Sequence, residues 1–158
     1  MTVNTHQVLS STFQNTLDLG RKASTADAVL VIHSAGMEKL QLLVKQFPWP
    51  VATVKDAMEF FGPNGQAMAQ PQNNKTKFEG PVAIYEVQAG TVGQELVKLI
   101  EAGAVFDATA YAGRPDDHAY SYDIKGAFMV MDTPDRDWEN DTALLLAGTL
   151  HFHWFANQ

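Results

Sequence analysis

Residues 143–155 read ALLLAGTLHFHWF, and this stretch predicts a long β-strand. Successive side chains of a strand point to opposite faces of its sheet. Phe152 and Trp154 therefore share one face, and His151 and His153 share the other. Both faces are largely apolar, so a single sheet with one helix would leave apolar surface uncovered. Either the sheet curls into a small barrel, or neighbouring subunits supply the cover.

Working outward, the preceding stretch YSYDIKGAFMV at 120–130 has the clearest period-2 pattern in the chain. Short turns join the last three strands, which favours antiparallel pairing. Further strands are predicted from apolar or alternating runs at 27–33, 40–45, 81–87 and 105–112. The pattern indicates a mainly β (α+β) fold with antiparallel sheets that form a small β-barrel or sandwich.

One packed α-helix is predicted at residues 91–102. Thr91 and Gln94 match a capping box, in which each side chain would bond a free backbone amide at the helix start. Four apolar side chains then recur on one helical face. They are Val92, Leu96, Leu99 and Ile100.

Two segments lack a clear periodic pattern. Residues 1–26 are polar and predict an irregular N-terminal arm. Residues 51–78 predict a long loop, with one or two helical turns at 55–61. A solvated linker does not need large apolar side chains, and long loops in compact domains are usually functional or disordered. We therefore expect this loop to become ordered against another subunit, through Met58, Phe60, Phe61 and Met68.

The size and composition of the chain limit its function classes. A chain of 158 residues with 46% hydrophobic residues predicts a single globular domain, 1–158. No apolar run could span a bilayer and no basic, apolar leader opens the chain, so we expect a soluble protein. The net charge of −7 falls entirely in residues 101–158, and no basic stripe indicates a nucleic-acid grip. The chain has no cysteine, which excludes disulfides and thiolate metal sites.

The residues that could carry chemistry form no catalytic signature. His151 and His153 lie two apart on a strand, a spacing that can place two imidazoles on one metal ion. Asp116, Asp117 and His118 combine carboxylates with an imidazole, but they lie in a predicted turn. We therefore expect no enzyme activity, no metal and no cofactor. A small β-barrel enzyme or metal-binding module that uses His151 and His153 stays open as the alternative.

The layout of residues 27–156 resembles the tail tube proteins of contractile-tailed bacteriophages, which are related in fold to the tube proteins of type VI secretion. Three stretches carry the resemblance, 36–48, 78–86 and 146–155, together with the long polar loop and the strand–helix–strand unit between them. Phage tails and type VI secretion are both compatible with this layout.

The resemblance implies a structural subunit of a viral tail tube. Hexameric rings of the chain would stack into a hollow conduit, with the helix outside and the sheets of neighbouring subunits joined into one inner barrel. The implied partners are a tail sheath protein, baseplate and terminator proteins, and genomic DNA that passes through without specific binding. The implied location is the virion, after assembly in the host cytoplasm.

Specific residues can be assigned to this architecture. Asp107 and Asp123 lie within predicted strands opposite apolar positions, and we expect them to face the lumen, where carboxylates repel phosphate. Phe152 and Trp154 join the apolar side chains of the long loop as candidates for contacts between subunits.

Overall fold

The computed structural model describes residues 5–34 and 36–156. Within them the elements run α1 (His6–Asp18), β1 (Val29–Ile32), β2 (Val44–Gln46), β3 (Ala57–Phe61), β4 (Ala67–Pro71), β5 (Lys77–Tyr85), α2 (Thr91–Glu101), β6 (Phe106–Arg114), β7 (Asp117–Met131) and β8 (Leu145–His153). A short 3-10 helix, Glu38–Leu42, precedes β2. Neither α-helix in this part of the chain is long and apolar enough to cross a membrane.

Six of the strands form one sheet in the order β1-β6-β7-β8-β5-β2, and every pairing is antiparallel. The predicted mainly β, α+β fold class is confirmed. The sheet does not close into a barrel within the described residues, because β1 and β2 lie at opposite edges and do not pair with each other. Edge strands keep unpaired backbone groups, so both edges can accept another strand.

The hydrophobic core lies against one face of this sheet. Ile84, Ile124 and Leu150 come from three neighbouring strands and are fully buried, and α2 packs Val92 and Leu99 into the same cluster. Burying one such side chain contributes about 1.5–3 kcal/mol. The alternation seen in the sequence thus positions the core, because every second residue of the strands faces it.

The strand β8 lies close to β7 at Gly148. A side chain at this position would collide with the carbonyl oxygen of Val130, and its Cβ would lie 2.7 Å from the Cα of Met131. Only glycine fits such an approach between two backbones.

The helix α2 lies within the predicted range, but its start differs from the prediction. Gly90 occupies the N-cap position in a left-handed conformation (φ 70°), and its lack of a side chain leaves no capping side-chain bond there. Thr91 is already helical, so the predicted capping box with Gln94 does not form. Ile100 points to solvent and Glu95 is buried in its place, with one carboxylate oxygen 2.9 Å from the Lys98 ammonium.

Glu86 caps α2 from outside the helix. Its Oε1 accepts hydrogen bonds from the amides of Val87 (2.9 Å) and Val92 (3.0 Å), and its Oε2 accepts one from Gly93 (2.9 Å). Desolvation raises the pKa of Glu86, but the bonds from Gly93, Val87 and Val92, helped by the charge of Arg136, outweigh it. The pKa is therefore below the ordinary value of 4.5.

The predicted N-terminal arm, 1–26, contains a helix instead of irregular chain. The Thr5 hydroxyl caps α1 by accepting from the Val8 amide, and no side chain of α1 is buried. Local bonds therefore define this helix, and its apolar side chains, including Leu9, Phe13 and Leu17, remain exposed. Residues 1–4 of the predicted arm lie outside the described residues.

The predicted loop 51–78 contains a β-hairpin made of β3 and β4, and the helical turns predicted at 55–61 are wrong. The turn between the strands decides this structure. Gly62 and Gln66 close it with a backbone bond of 2.9 Å, and Gly65 adopts a positive φ of 76° that suits glycine. The turn sets the pairing register of β3 and β4. Formation of this hairpin outweighs the weak helical preference of residues 55–61.

Candidate assembly surface

The β3–β4 hairpin is a two-stranded sheet of its own, and every residue in its strands is exposed. In the register of the hairpin, Met58 lies opposite Gln70 and Phe60 lies opposite Met68. Residues directly opposite each other share a face, so Met58, Phe60 and Met68 form one apolar face. Phe61 lies opposite Ala67 on the other face.

Backbone bonds fix the base of this hairpin. Val54 and Asn74 form an isolated bridge, and the Lys75 amide donates to Thr53 (2.9 Å). The Trp154 amide donates in turn to Thr76 (2.9 Å), which links the base to the end of β8. These bonds therefore fix the orientation of the hairpin relative to β8, while its apolar face stays partly exposed.

Two of the predicted contact residues lie inside the chain's own core. Phe152 is 1% exposed and Trp154 is 8% exposed, and both pack against Phe78. Phe152 is not available to another subunit in this conformation, and Trp154 exposes only a small edge, so the proposed function leaves both out. The sequence could not separate the faces of β8, because both carry large side chains.

Asp107 and Asp123 both lie exposed on the sheet face that points away from the core. Asp107 Oδ1 accepts from the Gly126 amide (3.1 Å) at an irregularity in the β6–β7 pairing. Asp123 Oδ1 accepts from the Thr109 hydroxyl (3.3 Å), which lies 2.7 Å from His33 Nε2. We call this face of the six-stranded sheet the open face.

The open face carries charges of both signs. Lys125 of β7 and Lys77 of β5 both pair in register with His153 of β8, so their side chains share its face. Glu79 lies opposite His151 on the same face. The acidic excess of the last third is therefore only partly on this face, and sequence alone did not indicate the lysines beside the aspartates.

His151 and His153 lie together on the open face, as their spacing predicts. His151 Nδ1 lies 3.4 Å from Glu79 Oε2, and its ring stacks on Phe128 with centroids 4.9 Å apart. Among residues 5–34 and 36–156, no group of three or more His, Asp or Glu side chains could hold a metal ion. These contacts give the His151 imidazole protein neighbours and add no support to the metal-binding alternative.

The candidate acid–base cluster lies in the exposed β6–β7 turn. His118 Nδ1 is 3.2 Å from the Pro115 carbonyl oxygen, and its ring packs edge-on against Tyr111. Asp117 pairs with Arg114 in the strand ladder. The three side chains thus lie on a solvated turn rather than in a cleft.

Sequence reasoning missed two features of the surface. The first is the separation of Phe61 from the other three apolar side chains of the hairpin, which the period-2 spacing of Met58 and Phe60 could have indicated. The second is the cap by Glu86, for which the sequence carries no signal because the bond depends on how a loop returns to the helix.

Solved structures share this architecture. A chain of the PVC sheath-tube complex, from an extracellular contractile injection system in its extended state, aligns with a TM-score of 0.56 and 11% identity over 87% of this chain and 92% of that chain. A chain of the PVC sheath/tube terminator aligns with a TM-score of 0.58 and 12% identity, over 85% and 94%. A chain of the anti-feeding prophage cap, described as tube terminating, gives 0.56 and 14%, over 85% and 89%. The chain has the fold of these contractile injection system proteins.

The matching chains belong to a sheath-tube complex, a sheath/tube terminator and a tube terminating cap. No family model and no curated protein matches the chain.

Proposed function

We propose that the chain is the tube-forming subunit of a contractile tail, in which six copies close into a ring and rings stack into a hollow conduit. The fold shared with contractile injection system proteins supports this role. The observation that carries the proposal is the β3–β4 hairpin, whose apolar face is left 40–45% exposed by the described part of the chain.

The low stability expected of an isolated hairpin supports assembly. An isolated two-stranded hairpin is marginally stable in water at best, and it becomes stable when a face packs on something else. Met58, Phe60 and Met68 are each 40–45% exposed, so about half of each side chain can still be buried. A neighbouring copy is the partner that a tube provides.

The remaining parts of the proposal rest on the resemblance to tail tube proteins and on the open edges of the sheet. The edge strands β1 and β2 would join the sheets of neighbouring copies into a continuous inner barrel. The open face with Asp107 and Asp123 would line the lumen, and genomic DNA would pass without specific binding. A sheath would surround the tube, with baseplate and terminator proteins at its ends, and the assembled particle would be a phage virion built in the host cytoplasm.

Electron microscopy of the purified chain tests the role of the hairpin. Wild-type protein at high concentration should form rings or tubes, whereas the triple variant Met58→Ser/Phe60→Ser/Met68→Ser should stay unassembled with unchanged circular dichroism. Phe61→Ser should have a smaller effect, since Phe61 lies on the other face.

Ile100→Ser is the matched control, because Ile100 is exposed on α2, the helix that the proposal places outside the tube. It should assemble like wild type. A wild-type chain that stays monomeric at high concentration would overturn the proposed function.

A further inference from the structure

The loop between β7 and β8 presents a tryptophan that no described residue of its own chain covers. Trp138 is fully exposed, and residues 132–143 around it are exposed as well. Asp137 shapes the tip of the loop, because its carboxylate accepts from the Glu139 amide (2.9 Å) and from the Asn140 side-chain amide (2.8 Å). Tryptophan is the side chain most enriched among the residues that dominate binding energy at protein interfaces.

A cavity at the opposite end of the sheet has a volume and a lining that suit the Trp138 side chain. The cavity has a volume of about 470 Å³ and lies where the hairpin base meets the end of β8. Val54, Trp154 and Phe155 contribute apolar wall, and Lys75 contributes a cation. Its volume is in the range of about 300–1,000 Å³ that encloses small organic ligands, and an aromatic ring system fits within that range.

The two sites carry opposite charge. The Trp138 loop contains five carboxylates and one base, namely Asp132, Asp135, Asp137, Glu139, Asp141 and Arg136. Beside the cavity, Lys75 and the exposed Lys55 lie on the two facing chains of the hairpin base, which the backbone bonds Lys55–Asn73 and Lys75–Thr53 join. Within the described residues, neither of these two lysines forms an ion pair. Complementary charge of this kind orients partners and speeds association.

One carboxylate, Asp56, is adjacent to Lys55, and its Oδ1 accepts from the Ala57 amide (2.7 Å). Asp56 keeps its negative charge, so Lys55, Lys75 and Asp56 together leave one net positive charge at the hairpin base. Lys77 and Glu79 both lie on the open face, beside His153 and His151.

The loop cannot reach the cavity of its own copy. Leu144 and Phe155 lie at opposite ends of β8, which is about 30 Å long for nine residues. The six residues from Trp138 to Leu144 span at most about 20 Å when extended. The Asp132 amide holds the other end of the loop by donating to Ala147 (2.8 Å). A contact between the two sites must therefore join two copies head to tail.

We propose that Trp138 of one copy inserts into the Val54–Lys75–Phe155 cavity of the next copy. The contact is heterologous, since each copy offers one loop and one cavity, and contacts of this kind propagate into rings or stacks. The inference rests on the proposed function, because it requires that copies assemble.

The test compares assembly of purified variants by sedimentation and negative-stain microscopy. Trp138→Ser should raise the concentration needed for assembly at least tenfold, as expected for a central interface residue. Phe13→Ser, at another exposed aromatic residue, is the matched control and should assemble like wild type. The cavity variant Lys55→Glu/Lys75→Glu should reproduce the loss, and Asp135→Lys/Glu139→Lys in the same chain should restore assembly.

A mixing experiment tests the head-to-tail geometry. The Trp138→Ser chain keeps an intact cavity, and the Lys55→Glu/Lys75→Glu chain keeps an intact loop. Mixed together, they should form one contact and then stop, which gives complexes of twice the starting size and no long tubes. Because all variants are first compared with wild type by circular dichroism, a misfolded variant is recognised and replaced by Trp138→Phe or Lys75→Gln.

The outcomes separate this inference from the proposed function. If wild type assembles and Trp138→Ser and the cavity variant assemble at the same concentration as wild type, the Trp138 contact is overturned and the proposed function stands. If wild type itself stays monomeric, the proposed function fails.

Discussion

At the scale of single residues, Glu86 connects the loop after β5 to the start of α2. Its carboxylate satisfies two amides of the first helical turn and lies at the positive end of the helix dipole. Glu86→Gln removes the charge and one of the two equivalent oxygens. We expect a loss of about 1 kcal/mol in the free energy of unfolding at pH 7, measured by urea denaturation.

The loss caused by Glu86→Gln should depend on pH in a defined direction. The pKa of Glu86 is lowered in the folded chain, so its carboxylate stabilises the fold fully above the unfolded value of 4.5. This contribution disappears as the pH falls through the folded pKa, and wild type and variant should then be equally stable. Glu101→Gln, at the far end of α2, is the control and should cost nothing, since a negative charge there is unfavourable. A pH-independent difference would show that Glu86 acts through packing alone.

At the scale of elements, the sequence predicts the strands and the helix that bury one face in the hydrophobic core. The strands β5, β6, β7 and β8 alternate because one face of each meets the core, and α2 has an apolar side for the same reason. The hairpin and α1 were missed although both carry a short pattern, since Met58 and Phe60 are two apart and Leu9, Phe13 and Leu17 are four apart. Neither element buries a side chain, so the polar residues around these positions outweighed the pattern. The mixed charge of the open face depends on cross-strand register, which a single strand's sequence does not contain.

The helix α1 gives a prediction at this scale. Deleting residues 1–20 should change the free energy of unfolding by less than about 0.5 kcal/mol, because no side chain of α1 is buried. Leu30→Ala on β1 is the positive control, since Leu30 is 1% exposed and such truncations cost about 2–5 kcal/mol. Urea denaturation of both variants provides the comparison. A loss after the deletion as large as that of Leu30→Ala would mean that α1 packs on the body.

At the scale of the whole molecule, the distribution of charge decides which surfaces attract and which repel. Five of the ten carboxylates in residues 101–158 lie in the Trp138 loop, at the end of the sheet where β8 begins. Lys55 and Lys75, beside the cavity, lie at the other end. The β6–β7 turn with Asp116 and Asp117 also extends past this end, since Lys125 lies opposite His153. The opposite charges of loop and cavity lining therefore act locally, and they favour head-to-tail order over random association. The open face between the two ends carries lysines as well as aspartates. Its net negative charge is therefore smaller than the −7 of residues 101–158 suggested.

The passage of DNA is a property of the assembled molecule, and nuclease protection measures it. Because phosphate binding needs excess positive charge, tubes of wild-type chain assembled around linear DNA at low salt should leave most of that DNA unbound and digestible. Asp107→Lys/Asp123→Lys should retain DNA inside the lumen and protect several-fold more of it. Glu38→Lys/Glu101→Lys makes the same change in net charge at exposed positions away from the open face. DNA bound by that control would lie outside the tube, where nuclease digests it. Equal protection by the two variants would place Asp107 and Asp123 elsewhere than the lumen.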